Sequence, residues 1–158
     1  MEQLPNFLNA FRITHKKWSE NLIASGFAAR WNSNGFYVIY SAESRSLAFL
    51  ENLVHRNGFG LDKDYCLLTI AISKTIKKIE IFEKNLPLGW SHNDEKAHLI
   101  CRKVGDQWIK SQESCILIVP SAIIANEKNI IINPNHKDFN KIKLKSTEPF
   151  LFDKRLSI

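Results

Sequence analysis

Short runs of β-branched and aromatic residues recur along the whole chain, parted by turn residues and not by linkers, and this pattern constrains the fold more than any other feature. Residues 35–41 (Gly-Phe-Tyr-Val-Ile-Tyr-Ser), 65–72, 76–82, 115–119, 129–132 and 141–144 read as strands, with Pro120 and Pro134 as punctuation. Phe11-Arg12-Ile13 reads as a short opening strand and residues 150–152 as a closing one. Helical spacing is confined to two places. Over residues 44–55, Leu47, Leu50, Leu53 and Val54 recur at helical intervals and Asn57-Gly58 supplies a stop. Asn93-Asp94 is a capping pair for a helix to about residue 103, with a further helical turn at 105–109. Strands outnumber helices and do not alternate with them. The expectation is a single α+β domain over residues 1–158, with antiparallel or mixed sheet pairing flanked by helices, and not a doubly wound parallel sheet.

Several function classes drop out on composition. At 158 residues, 44% hydrophobic and 24% charged, the chain has the size and balance of one globular domain that needs no disulfide staples. No repeat or Gly/Ser linker divides it. Met1-Glu2-Gln3-Leu4-Pro5 is not the start of an export signal, and no apolar run approaches the roughly 20 residues of a spanning helix, so a cytoplasmic protein without membrane attachment is expected. Cys66, Cys101 and Cys115 lie far apart among apolar neighbours and read as buried, inert thiols. His15, His55, His92, His98 and His136 show no zinc spacing, so no metal is expected. The net charge of +6 suits an anionic partner. Its lysines are dispersed, as on a solvated face, and fit no nucleic-acid motif, so no direct nucleic-acid binding is expected.

Three places carry candidate chemistry. Glu51 sits inside the apolar helical stretch Leu47-Ala48-Phe49-Leu50-Glu51-Asn52-Leu53-Val54. It either faces an interior cleft, where a carboxylate needs partners, or is an exposed residue paired with His55 at i+4. Residues 26–35 combine glycines, small residues, Arg30 and Trp31 directly before a strand ending in Tyr40-Ser41. Arg30 in such a loop suits a phosphate, and Trp31, Tyr37 or Tyr40 suit a base or nicotinamide ring; an arginine in a surface turn above core aromatics is the alternative. Ser121 follows the strand-like Ile116-Leu117-Ile118-Val119 and Pro120. It lacks the Gly-x-Ser-x-Gly context of a serine hydrolase, and no Gly-x-Gly-x-x-Gly fingerprint is present, so any dinucleotide is held in another way.

Taken in order, these segments resemble the RES domain, a family named for an Arg, a Glu and a Ser. Phe11-Arg12-Ile13 is similar to its opening, and Ala29-Arg30-Trp31-Asn32-Ser33 with Gly35 to its Gly-Arg-Trp-Asn-Ser-Pro-Gly loop. Tyr40-Ser41-Ala42-Glu43-Ser44 with Leu47-Ala48 and Leu50-Glu51 resembles its strand-to-helix segment. Gly105-Asp106-Gln107-Trp108, Val119-Pro120-Ser121, Asn133-Pro134-Asn135-His136 and Phe152-Asp153-Lys154-Arg155-Leu156 complete the match. Ala29 and Asn34 depart from it, standing where the family has Gly and Pro. The resemblance implies an ADP-ribosyltransferase-like fold and cleavage of the nicotinamide–ribose bond of NAD⁺, a substrate and not a resident cofactor, with growth arrest as the outcome. Transfer of ADP-ribose to a host protein is the alternative activity, and a non-catalytic binding module a more distant one. It implies catalytic roles for Glu51, Arg30 and Ser121: Glu51 stabilising positive charge on the ribose, Arg30 holding the pyrophosphate, Ser121 bonding the ribose or carboxamide. Tyr40 and Trp31 would help bind the substrate. It also implies an antitoxin partner with an Xre-like helix-turn-helix domain, in a complex that allows a toxin homo-oligomer.

Overall fold

The computed structural model describes residues 6–56 and 64–156. Successive side chains of a strand point to opposite faces, so a strand that is apolar throughout must be covered on both. Strand β5 (Ile116–Pro120) and the Ile130-Ile131-Ile132 end of β6 (Lys128–Ile132) are of this kind. Ile116, Ile130 and Ile132 enter one core cluster, while Leu117, Val119 and Ile131 enter another.

The other strands are β1 (Phe7–His15), β2 (Ile39–Ala42), β3 (Tyr65–Ser73), β4 (Lys78–Glu80) and β7 (Ile142–Phe150). They form one sheet in the order β4-β5-β6-β2-β1-β3-β7. Only the pair β4 and β5 is parallel; the other neighbours run antiparallel, giving the mixed α+β architecture expected. Helix α1 (Arg45–His55) packs Leu47 and Ala48 against Ile13, Ala42 and Leu67. Helix α2 (Glu95–Ser111) covers β5 and β6 through Cys101 and Trp108. Both helices open on side-chain caps: Ser44 Oγ accepts from Leu47 N at 3.1 Å and Asp94 Oδ1 from Ala97 N at 2.8 Å.

Several boundaries differ from the sequence expectation. β1 is nine residues long because it pairs with β3 along its whole length, from Phe7↔Ser73 to His15↔Tyr65. β2 begins only at Ile39, since residues 35–38 belong to a loop closed by the Gly35 N–H donating to Gly26 O at 2.9 Å. β4 is limited to three residues, and β7 runs unbroken to Phe150, so no separate closing strand exists there. α2 is one helix and not a helix plus a turn. Glycine is a poor helix former, but Gly105 is buried where a Cβ would lie 1.6 Å from the Trp31 carbonyl oxygen, so close packing holds the helix through it. The expected stop at Asn57-Gly58 and the segment Met1–Pro5 lie outside the described residues. Among the described residues, no helix is long and apolar enough to cross a membrane.

Candidate active site

β1 and β2 are in register at Phe11↔Ala42, and beyond that pair they part. A cleft of about 480 Å³ lies in the split, lined on one side by residues of β1 through His15 and on the other by Ala29, Arg30, Val38 and Tyr40. α1 contributes Ala48, Glu51, Asn52 and His55 to its lining.

Glu51 takes the interior option. Its Oε1 accepts from Asn129 Nδ2 at 2.6 Å and from Ser121 Oγ at 3.0 Å. Ser121 is buried, and its oxygen also accepts from the N–H groups of Ile123 (3.2 Å) and Ile124 (3.1 Å). A hydroxyl has one hydrogen and two lone pairs. With both lone pairs engaged, the hydrogen is directed at Glu51. Ser121 therefore stands behind the carboxylate, and it is not among the residues lining the cleft. Asn129, which the sequence reading treated only as the start of a strand, is the second fixed donor; a polar residue heading the run Ile130-Ile131-Ile132 was its visible signal. The position follows from register: Asn129 pairs with Ala42, and Ala42 with Phe11.

The opposite wall is a loop outside the sheet, held by a short Ala29↔Asn32 bridge and by side chains. Asn32, fully buried, donates from Nδ2 to Phe27 O (2.9 Å) and Phe36 O (3.0 Å), and Asn34 Oδ1 accepts from Ala28 N at 2.8 Å. α2 fastens the loop from outside. Arg102 Nε donates to Ala29 O at 2.9 Å, and Asp106 accepts from Ser33 N (2.9 Å) and Ser33 Oγ (2.5 Å). Arg30 extends across to the segment before α2, donating to Trp90 O at 3.0 Å and His92 O at 3.2 Å. Tyr40 lines the cleft with its ring while its hydroxyl donates to Asn32 Oδ1 and accepts from Trp31 N. Burial raises its phenol above the ordinary value. Trp31, expected beside a ligand ring, is 3% exposed and packs on Trp90 with ring centroids 6.1 Å apart. Its place is the core beneath α2, because that indole is covered by apolar neighbours.

The charge of the cleft is lopsided. Among the described residues lining it, Glu51 is the single carboxylate, against the guanidinium groups of Arg12, Arg30 and Arg56. Arg12 was quoted in the sequence only as part of the opening strand; here its Nη1 spans the split to Tyr40 O at 2.7 Å, and burial lowers its pKa. Arg56 is stacked between Tyr65 and Phe152, 4.1 and 4.7 Å from their ring centroids. Among the described residues, no group of three His, Cys, Asp or Glu side chains is placed to hold a metal ion.

Residues 9–153 match the family model described as the RES domain. The chain is 38% identical over 129 residues to the Prs ADP-ribosylating toxin of a Sphingobium species, covering 80% of this chain and 79% of that one. It is 34% identical over 146 residues to Toxin Res of Yersinia enterocolitica, covering 84% and 86%. In three dimensions it is similar to a chain of the M. tuberculosis MbcT-MbcA toxin-antitoxin complex, with a TM-score of 0.73 at 16% identity over 92% of this chain and 85% of that one.

Proposed function

This chain belongs to the RES-domain toxin family, and on that premise we propose that it consumes NAD⁺ by breaking the nicotinamide–ribose bond. The observation that carries the reading is the fixed carboxylate of Glu51 in a cleft whose other described charged lining groups are the arginines Arg12, Arg30 and Arg56, with His15 and His55. In the reaction the bond between ribose C1′ and the nicotinamide nitrogen breaks, and its electron pair leaves with neutral nicotinamide. Positive charge grows on the ribose. A carboxylate held in place by two donors stabilises that charge more in the transition state than in the ground state. Water or inorganic phosphate then bonds to C1′, and a water acceptor releases its proton to solvent. Ser121 and Asn129 act through Glu51 as positioning residues. Arg12, Arg30 and Arg56 face the diphosphate; the two bonds Arg30 makes to backbone carbonyls leave further N–H donors on its fork.

The test is nicotinamide release by the purified chain, in water and in phosphate buffer. Turnover is expected in at least one, and unchanged by chelator, because the leaving group departs neutral without help from a metal. Intact NAD⁺ at high enzyme concentration overturns the reading. A second reading is favoured by the name of the Sphingobium relative: the same cleft transfers ADP-ribose to a protein. Label from NAD⁺ appearing on a lysate protein, with little nicotinamide release in its absence, selects that reading.

An NAD⁺-consuming enzyme drains its own host, so we propose an antitoxin partner with a helix-turn-helix domain that blocks the cleft. Such a partner should compete with NAD⁺, since the arginines attract an acidic segment as they attract a diphosphate. Growth that continues during high-level expression of the soluble chain alone overturns the toxin role.

A further inference from the structure

We infer that Trp18 is the seat of the adenine ring in the cleft, an inference that rests on the NAD⁺ reading for its ligand. The four tryptophans of the chain divide sharply by environment. Trp31, Trp90 and Trp108 are 3%, 5% and 6% exposed, whereas Trp18 is 53% exposed and lines the cleft. The ring is half in water with Lys17 Nζ 5.2 Å from its centroid, so it offers a flat, partly covered apolar surface beside a cationic cleft on which a base can stack. Phe27, 78% exposed, lines the cleft from the opposing loop.

Strand register places Trp18 relative to the chemistry. Glu51 is bonded to Asn129, which pairs with Ala42, which pairs with Phe11. The carboxylate is therefore level with Phe11. Further along β1, Asn52 Nδ2 donates to Ile13 O at 3.2 Å, and Arg56 stacks on Tyr65, the partner of His15. Glu51, Asn52 and Arg56 thus follow β1 in step with Phe11, Ile13 and His15. His15 is about 13 Å beyond Phe11 at about 3.3 Å per strand residue. Trp18 ends the 3-10 turn Lys16–Trp18 that continues from it. A dinucleotide with its labile bond at Glu51 and its diphosphate beside Arg12 and Arg56 carries its second base to Trp18. That base is adenine, because the nicotinamide must lie at the Glu51 end.

Because the other three tryptophans are buried, Trp18 is also the reporter. Titration of the wild-type chain with ADP is expected to quench the exposed fluorescence component and shield it from acrylamide, while nicotinamide mononucleotide does neither. Trp18→Ala should raise KM for NAD⁺ about tenfold with kcat within about twofold, and Trp18→Phe should restore most of the affinity because a flat ring remains. Absence of quenching by ADP, equal quenching by the mononucleotide, or an unchanged KM in Trp18→Ala overturns the assignment. A wild-type chain that leaves NAD⁺ intact while ADP quenches Trp18 overturns the NAD⁺ reading and leaves the purine seat standing, so the two failures are distinguishable.

Discussion

Helices α1 and α2 are both amphipathic and both capped, yet one is built to seal the core and the other to open it. α2 buries Ala97, Cys101, Gly105 and Trp108, an uninterrupted inward stripe that grips the Arg30 loop. α1 buries only Leu47 and Ala48. One turn further its inward stripe turns polar, to Glu51 and Asn52, and then to His55, all on the cleft. Where a helix keeps facing inward but stops being apolar, the residues there cannot be explained by packing, and here Glu51 meets two fixed donors. The contrast separates a helix whose substitutions should register as stability from one whose substitutions should register as turnover.

The largest expected effect lies on α1. Glu51→Gln should lower kcat at least about 100-fold, about 2.7 kcal/mol of transition-state stabilisation, while leaving the melting transition within a degree or two. Steady-state nicotinamide release beside thermal unfolding checks it. Activity within a few-fold of wild type in a folded variant breaks the contrast.

Gly105→Ala tests α2 in the opposite sense. The new Cβ would lie 1.6 Å from Trp31 O, against backbone that cannot rotate away, so about 1–3 kcal/mol of stability should be lost in denaturant titration. Unchanged stability would mean that the loop is not clamped by α2.

The two caps differ in the same way. Ser44→Ala and Asp94→Ala should each cost about 1 kcal/mol. Only Ser44→Ala is expected also to lower kcat, by a few-fold, because its helix carries Glu51; equal kinetic losses in both variants would erase the distinction.

The smallest effect belongs to the thiols, all three of which are buried. Burial pushes the Cys115 thiol up to about 12 and raises that of Cys101 as well. Labelling with iodoacetamide at pH 8 should be negligible until denaturant is added. The folded state holds the Cys115 proton more tightly than the unfolded one, so this contribution to stability is full below about pH 9 and is lost as pH rises towards 12. Rapid labelling of the folded chain would show that the α2 side opens readily.

Local pattern was enough for the class of fold and for three of the strands. The β-branched runs became β3, β5 and β6 at close to their expected bounds, and Asp94 caps α2 as Asn93-Asp94 suggested. It was not enough for the faces of α1. The apolar positions Leu47, Leu50, Leu53 and Val54 define one stripe, but Val54 is 54% exposed and Glu51 faces in, because the cleft, and not the core, occupies that side. Nor did residue type distinguish Trp31 from Trp18. Both are tryptophans directly after a basic residue, and burial differs because α2 and its apolar neighbours cover Trp31 whereas Trp18, with Lys17 Nζ over its ring, stays half exposed.

The α+β class, both helices and the Asp94 cap were therefore legible in the sequence, as were Arg30, Glu51 and Ser121 through their resemblance to the RES domain. The tertiary structure decided what those residues touch. Ser121 and Asn129 reach Glu51 across 70 and 78 positions, and Arg12 reaches the Tyr40 carbonyl across 28. Periodicity reports only neighbours within a few residues, whereas strand pairing brings distant polar groups to one point, and burial then sets which of them must bond to one another.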